Sequence, residues 1–229
     1  DLTMELSDGL RALLEALVGP GTALSQATLN EVIAKVPNSR LGDHPLIKTE
    51  PEIRVRHARG QSLPDWLEMH SGNVDTFPDG VGFPESSEQV RELLAYAKEN
   101  NLIVIPYGGG TSVVGHINPE TSDKPVLTID MAKMNSMLSI DTESQLATFG
   151  AGAPGPVVEE ELKKHGYTLG HFPQSWELST LGGWVASRSS GQQSLHYGRI
   201  ENMFAGGTIE TLNGTCLLYT SDAADEVVS

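Results

Sequence analysis

The chain carries a single cysteine, Cys216, so no disulfide can form within it, and a reducing compartment is compatible with it. No apolar run approaches the ~18 residues that a membrane-crossing helix needs. The first residues, Asp1-Leu2-Thr3-Met4-Glu5, lack the basic and apolar stretches of a signal peptide, and without an initiator methionine the expectation is a fragment at this end. Positive charge is scarce: 15 Lys and Arg stand against 30 Asp and Glu, a net charge of −15. That leaves no basic footprint for the phosphates of a nucleic acid, which is not expected as a partner. The seven histidines show no metal-ligand spacing and no His-Glu-x-x-His or Cys/His cluster, so no metal is expected. No Gly-Lys-Ser/Thr and no Gly-x-Ser-x-Gly occur, which removes support for NTP hydrolysis and for a serine nucleophile. Nothing in the chain names a catalytic residue.

What the chain has is glycine, 24 in 229 residues, with 38% hydrophobic content, a balance that points to a globular, loop-rich protein of mixed helix and strand. The most telling stretch starts at an apolar strand, Leu102 to Ile105, and opens into Pro106-Tyr107-Gly108-Gly109-Gly110-Thr111-Ser112. Glycine reaches positive φ and lets a ligand approach the backbone. Successive amides in such a turn can point into one concavity and hold an anion, and Thr111 and Ser112 add two hydroxyl donors. Against the overall negative charge the donors must be local; charge-assisted hydrogen bonds of about 1.5–3 kcal/mol each make a few amides sufficient for a diphosphate. The alternative is a tight structural turn. On the ligand reading, Gly109→Val blocks the diphosphate without unfolding the chain.

Helix signals precede the loop. Ser7 can cap a helix with Leu10, Leu13, Leu14 and Leu17 on one face, ended by Gly19-Pro20-Gly21; Thr28 and Glu31 form a capping box for a helix stopped by Pro37. Residues 1–37 read as a helical front module, and 38–76, polar and without clear periodicity, as a connecting arm. Ser86 and Gln89 open a helix with Val90, Leu93, Leu94 and Ala97 on one face. After the loop come a strand from Val126 to Asp130 and a hairpin, Met137 to Ile140 with Leu146 to Phe149. A helix from about Pro156 to His165 follows, with Glu159–Lys163 and Glu160–Lys164 pairs and Gly166 at its end. The order is α+β rather than a regular βαβ series.

Two further segments carry candidate chemistry. Gly150-Ala151-Gly152-Ala153-Pro154-Gly155 satisfies G-x-G-x-x-G, with Glu177 at a distance suited to a ribose contact. Its strand belongs to a hairpin, however, and Pro154 and Pro156 remove amides, so a turn leading into a helix is the better reading. Pro173 to Gly191 is dense in hydroxyls and small residues; Gly182-Gly183 permits close backbone approach, and Trp184 to Ser190 can start a helix whose N-terminus faces an anion or an electron-rich ring edge, with a Ser/Gly-rich surface loop as the alternative. Arg54, Arg56, His57 and Arg59 form a basic cluster, read as a solvated face, with an anionic substrate or tail as the alternative.

In their order, these segments resemble the vanillyl-alcohol-oxidase (PCMH-type) FAD-binding family, and within it the alkyldihydroxyacetonephosphate synthase branch. The residues carrying the resemblance are Gly170 to Val185, Ser187-Arg188-Ser189-Ser190-Gly191 and Tyr197 to Asn202. Behind them stand His57-Ala58-Arg59-Gly60, Ser71-Gly72 and Pro78-Asp79-Gly80. The resemblance implies an α+β PCMH-type domain of two α/β subdomains, the second incomplete, over 77–215. It implies that Pro106, Tyr107, Gly108, Gly109, Gly110, Thr111 and Ser112 wrap the FAD diphosphate. Gln174, Ser175, Trp176, Glu177, Leu178, Ser179 and Thr180 would run along the flavin, and Gly183, Ser187, Arg188, Ser189 and Ser190 would supply further contacts. Thr111 stands where relatives with covalent flavin carry histidine, so the FAD is expected to be non-covalent. The implied reaction exchanges acyl for alkyl on dihydroxyacetone phosphate through a flavin adduct, in ether-lipid synthesis. The alternatives are an FAD-dependent oxidase or dehydrogenase of 2-hydroxy acids and a non-catalytic nucleotide-binding module. A small-molecule or lipid-like substrate and a cytoplasmic place, peroxisomal in a eukaryote, go with the resemblance. Peripheral membrane contact through residues outside this chain and a homodimer stay open. The family's catalytic residues belong to a part not present in this chain. Residues 216–229 have no counterpart in the resemblance and are expected to be a poorly ordered, non-native tail.

Overall fold

The structure, a computed structural model, describes residues 7–22 and 24–219. Ser7 caps α1 (Asp8–Val18) by accepting from the Leu10 amide, and Gly19 ends it. The helix follows its local signals but buries none of its residues, and Leu10, Leu13, Leu14 and Leu17 are all exposed. Thr28 and Glu31 cap one another's backbone at the start of α2 (Leu29–Ile33). Its Val32 packs on Ala58, Val74 and Phe77.

The stretch 38–76 holds regular structure that periodicity does not reveal: β1 (Ile47–Lys48), α3 (Pro51–Arg56) and α4 (Leu63–Ser71). These elements are short and start from capping chemistry, a proline in the first turn and a Ser62–Asp65 capping box, rather than from an apolar stripe. The basic cluster here is not a solvated face. Arg54 is buried and donates to the Pro78 and Pro37 carbonyls, both at 2.6 Å; Arg59 is buried and donates to Thr76 and Glu68; His57 is buried too. Only Arg56 is exposed, paired with Glu52. Carbonyl and carboxylate acceptors make cation burial tolerable, so these side chains knit α3 to its surroundings.

The main sheet adds β2 (Gly80–Gly82), β3 (Ile103–Tyr107) and β4 (Val126–Asp130) in the order β1-β2-β4-β3. β4 runs parallel to both neighbours, β1 antiparallel to β2, and every residue of β4 is buried. Between β2 and β3, α5 (Ser87–Glu99) lays Val90, Leu93, Leu94 and Ala97 on Ile47, Leu127 and Ile129. Val90, Leu93 and Leu94 each contribute about 1.5–3 kcal/mol by leaving water. Ser86 accepts from the Gln89 amide as expected, while Gln89 reaches back to the Glu85 amide.

Beyond the sheet lie the hairpin β5 (Met137–Asp141) with β6 (Leu146–Phe149), then α6 (Gly155–Lys164), α7 (Leu181–Ser187), α8 (Ser194–Tyr197), α9 (Ile200–Met203), and the hairpin β7 (Gly206–Thr211) with β8 (Gly214–Tyr219). The expected ion pairs along α6 are not the ones formed. Lys164 pairs with Glu161, and Glu159 instead caps the turn after the helix, accepting from the amides of Leu169 and Gly170 and from Thr168 Oγ1. Two amides aimed at one carboxylate outweigh an exposed i,i+4 pair of about 0.3–0.5 kcal/mol. Cys216 to Tyr219, expected to belong to the tail, continue β8 in register with β7; the rest of that tail, 220–229, lies outside the described residues.

Candidate functional site

The carboxyl ends of the parallel strands β3 and β4 place the glycine loop at the edge of the sheet, the position where open α/β sheets take ligands. Among the described residues, none of the amides from Gly108 to Ser112 donates to a protein acceptor. Gly110 has φ +69°, which turns the chain there. Gly109, Val113, Val114 and Leu178 are exposed, so the loop lies on an open face. Two surface hollows of about 350 and 480 Å3 lie elsewhere and share no residue with it.

The loop is held from two sides. Behind it, the Gln61 amide donates to the Ser112 carbonyl at 2.6 Å, the Gly60 amide to Asn118 Oδ1 at 3.1 Å, and Asn118 Nδ2 to Asp65 Oδ1 at 2.6 Å. Burial pushes the Asp65 carboxyl up, but Ser62 and Asn118 outweigh it and hold the group below the usual carboxylate range. Ser112 Oγ accepts from the Val114 amide and lies 3.2 Å from His116 Nδ1, so this hydroxyl is engaged locally.

On the other side lies Leu178-Ser179-Thr180. A Cβ on Gly108 would meet Thr180 Oγ1, and one on Gly109 would meet the Leu178 carbonyl oxygen. The glycines are therefore needed for one segment of protein to pass over the other. Gly109→Val strikes protein before it reaches any ligand, which corrects the expectation that it acts on a diphosphate alone.

The second segment is firmly seated. Thr180 Oγ1 caps α7, which begins at Leu181, earlier than the Trp184 start expected from sequence. The Leu181 and Gly182 amides donate to the Ala153 and Ala151 carbonyls at 2.9 and 2.8 Å. Ser179 Oγ donates to the Ser175 carbonyl and accepts from the buried Trp184 indole at 2.7 Å. Gln174 and Glu177 are exposed, whereas Trp176 leans on Phe172 and Gly155. Ser187 turns back on the Gly183 carbonyl. Arg188 ends the helix at φ 52° and extends into solvent, 3.6 Å from Glu201; Ser189 meets His171 Nε2 at 3.2 Å, and Ser190 is exposed. Ser187, Arg188 and Ser190 thus turn away from the buried cluster of Ser179, Trp184 and His171. Burial pushes the His171 imidazole pKa down.

The G-x-G-x-x-G stretch offers no cradle. The Gly150 and Gly152 amides donate to the Ser136 and Met134 carbonyls, and a Cβ on either glycine would run into the backbone of Met134 or Met131. The turn packs and leads into α6.

The donor set suits an elongated anionic ligand: five unpaired amides, the half-buried Thr111, and apolar Val113, Val114 and Leu178 alongside. Trp176 Nε1 and His171 Nδ1, buried behind the second segment, lack a protein partner among the described residues. Such atoms take water or ligand partners in folded proteins. Among the described residues no group of three metal-binding side chains converges. Sequence reasoning missed the wall behind the loop: no pattern links Gly60, Gln61, Asp65 and Asn118 to the glycine loop, and only the tertiary fold brings them there.

Residues 78–218 match the FAD binding domain family. The chain belongs to that family. FAD is accordingly its cofactor, and the unpaired amides fit the diphosphate of such a molecule. Among the proteins this FAD binding domain resembles are alkyldihydroxyacetonephosphate synthases. That of Dictyostelium discoideum is 40% identical over 175 residues, 73% of this chain and 29% of that protein. That of Trypanosoma brucei brucei is 40% identical over 159 residues, 69% of this chain and 26% of that protein. A mitochondrial D-lactate dehydrogenase [cytochrome] of Saccharomyces cerevisiae is 30% identical over 151 residues, 66% of this chain and 25% of that protein. A solved alkyldihydroxyacetonephosphate synthase structure superposes on 91% of this chain and 42% of its own, with a TM-score of 0.79 and 34% identity. The chain spans less than a third of the length of these curated relatives.

Proposed function

We propose that this chain is the FAD-holding part of an alkyldihydroxyacetonephosphate synthase-like enzyme, with the flavin bound non-covalently. The observation that carries the reading is the row of unpaired amides from Gly108 to Ser112, laid against the backbone of Leu178 to Thr180. These amides, with Pro106, Tyr107 and Thr111, hold the diphosphate. Gln174 to Thr180 and Gly183 line the rest of the cofactor, and Ser189 braces that line through His171. Ser187, Arg188 and Ser190 sit at its rim. The apolar side chains of Val113, Val114 and Leu178 exclude water beside the polar cradle. When bound, FAD supplies the electron-rich ring system for exchanging the acyl group of acyl-dihydroxyacetone phosphate for an alkyl group from a fatty alcohol. The chain's own work is to bind, orient and shield that cofactor.

The 40% identity to synthases against 30% to a D-lactate dehydrogenase supports the transferase over the oxidation of 2-hydroxy acids. A lipid-like substrate, and a cytoplasmic place or a peroxisomal one in a eukaryote, go with the reading. No helix among the described residues is long and apolar enough to cross a membrane.

Amide hydrogen exchange on the full-length protein tests the loop directly. The peptide spanning 106–114 exchanges fast without cofactor and at least about tenfold more slowly with FAD, because unpaired amides become donors. No change in that peptide overturns the loop assignment. Alkyl-for-acyl exchange without flavin bleaching by D-lactate or glycolate supports the transferase; bleaching by either overturns it.

A further inference from the structure

His57 closes α3 and lies beneath the start of the glycine loop. Its ring is buried and each nitrogen faces an acceptor: Nδ1 lies 2.7 Å from the Ile53 carbonyl, and Nε2 lies 2.9 Å from Asp130 Oδ2. With Asp130 ionised neither acceptor brings a proton, a geometry that suits donation from both ring nitrogens and so an imidazolium–carboxylate pair.

Asp130 is the last residue of β4, in register with Tyr107, the residue that hands the chain to Gly108. Its other oxygen takes the Ala132 amide at 2.8 Å. The Tyr107 ring lies 4.6 Å from that of His57, and its hydroxyl is pushed up to about 12, by burial first and then by the Asp130 charge, so it stays neutral. Arg56, next to His57, is exposed and already paired with Glu52, and Arg59 is taken by Glu68 and Asp75. His57 is therefore the side chain placed to bring a positive charge to Asp130. Unpaired, this carboxylate would stand at the foot of an anion cradle, in a chain whose net charge of −15 offers no compensating field.

We propose that His57 is a positioning residue for anion binding: by neutralising Asp130 and bracing Tyr107, it keeps the glycine loop receptive to a diphosphate. The inference rests on the FAD reading above.

The test measures FAD and riboflavin affinity of the full-length protein. His57→Gln keeps a donor toward Asp130 but removes the charge, and FAD binds about tenfold more weakly, the scale of one charge acting through partly screened protein. The double variant His57→Gln/Asp130→Asn, neutral again, returns to within about threefold of wild type. Asp130→Asn alone binds FAD at least as tightly as wild type. Riboflavin, which lacks the diphosphate, binds all forms alike. Unchanged FAD affinity in His57→Gln, no recovery in the double variant, or an equal loss for riboflavin overturns the proposal. Should His57→Gln not fold, Asp130→Asn decides: a clear loss of FAD means that the pair only packs. A wild-type protein that retains no FAD overturns the FAD reading itself and this inference with it.

Discussion

The Leu178 carbonyl oxygen occupies the place where a side chain on Gly109 would begin. Two segments, 69 residues apart in sequence at Gly109 and Leu178, therefore meet backbone to backbone, and the contact exists only because position 109 has no Cβ. Gly109→Ala is expected to destabilise the apoprotein by about 2 kcal/mol or more, because neither backbone can give way cheaply. Thermal unfolding without FAD measures it. An unchanged apo melting temperature would mean that the loop has slack and that the glycine serves the ligand instead.

Ser179 links the second segment to its helix by accepting from the Trp184 indole and donating to the Ser175 carbonyl. Ser179→Ala leaves a buried N–H without an acceptor, at a cost of about 1–3 kcal/mol. Denaturant unfolding reads that loss, and Ser179→Thr, which keeps the hydroxyl, is expected to recover most of it.

The glycine loop was legible as a candidate for a physical reason: an open row of backbone amides announces itself through glycine, here Gly108 to Gly110. Gly182-Gly183 carries the same signal, but its amides are spent on the Ala151 carbonyl and on Thr180 Oγ1. The helix at 87–99 was legible because Val90, Leu93, Leu94 and Ala97 keep the helical period against one sheet. What stayed hidden depends on pairings distant in sequence. Nothing local indicates that Asp130 lies beside Tyr107, that Gln61 donates to Ser112, or that Arg54 and Arg59 are buried rather than solvated. A cluster of cations is solvated by default, and acceptors gathered by the fold, the carbonyls of Pro37, Pro78 and Thr76 and the Glu68 carboxylate, reverse that. The Glu159–Lys163 expectation failed likewise, since the carboxylate found stronger donors beyond the end of its helix.

Asn118 joins the wall behind the loop to Asp65, the partner of Ser62 in the capping box of α4. Asn118→Leu removes both side-chain hydrogen bonds and strips Asp65 of one partner. Stability is expected to fall by about 2 kcal/mol, and FAD affinity with it, because the Gly60 amide, next to the Gln61 that holds the Ser112 carbonyl, loses its acceptor. Calorimetric titration with FAD checks this. A loss of stability with no loss of affinity would mean that the wall does not set the loop.

Asp79 gives the fold an acid dependence. It accepts from Arg40 Nε at 2.8 Å, from Arg40 Nη2 at 2.7 Å and from the Val126 amide at 2.8 Å, and so clamps the segment before β2 to the start of β4. Burial pushes its carboxyl up, but these donors outweigh burial and hold it below the ordinary carboxylate range. With the folded value depressed, the unfolded chain binds the proton more readily. The contribution is therefore complete above the unfolded value of about 4 and is lost as pH falls through the lower folded value. Stability should hold from pH 7 to about 5 and decline below about pH 4, and Asp79→Asn should flatten that decline while lowering stability at pH 7. Arg40→Met should cost about 2–3 kcal/mol at pH 7, below the about 3–5 kcal/mol of a fully buried pair because Arg40 is 43% exposed. It should cost progressively less toward pH 3, where a protonated Asp79 no longer needs the cation. Urea titrations across that range measure both slopes, and an acid decline of wild-type size in Asp79→Asn would assign it to other carboxylates, Asp65 foremost.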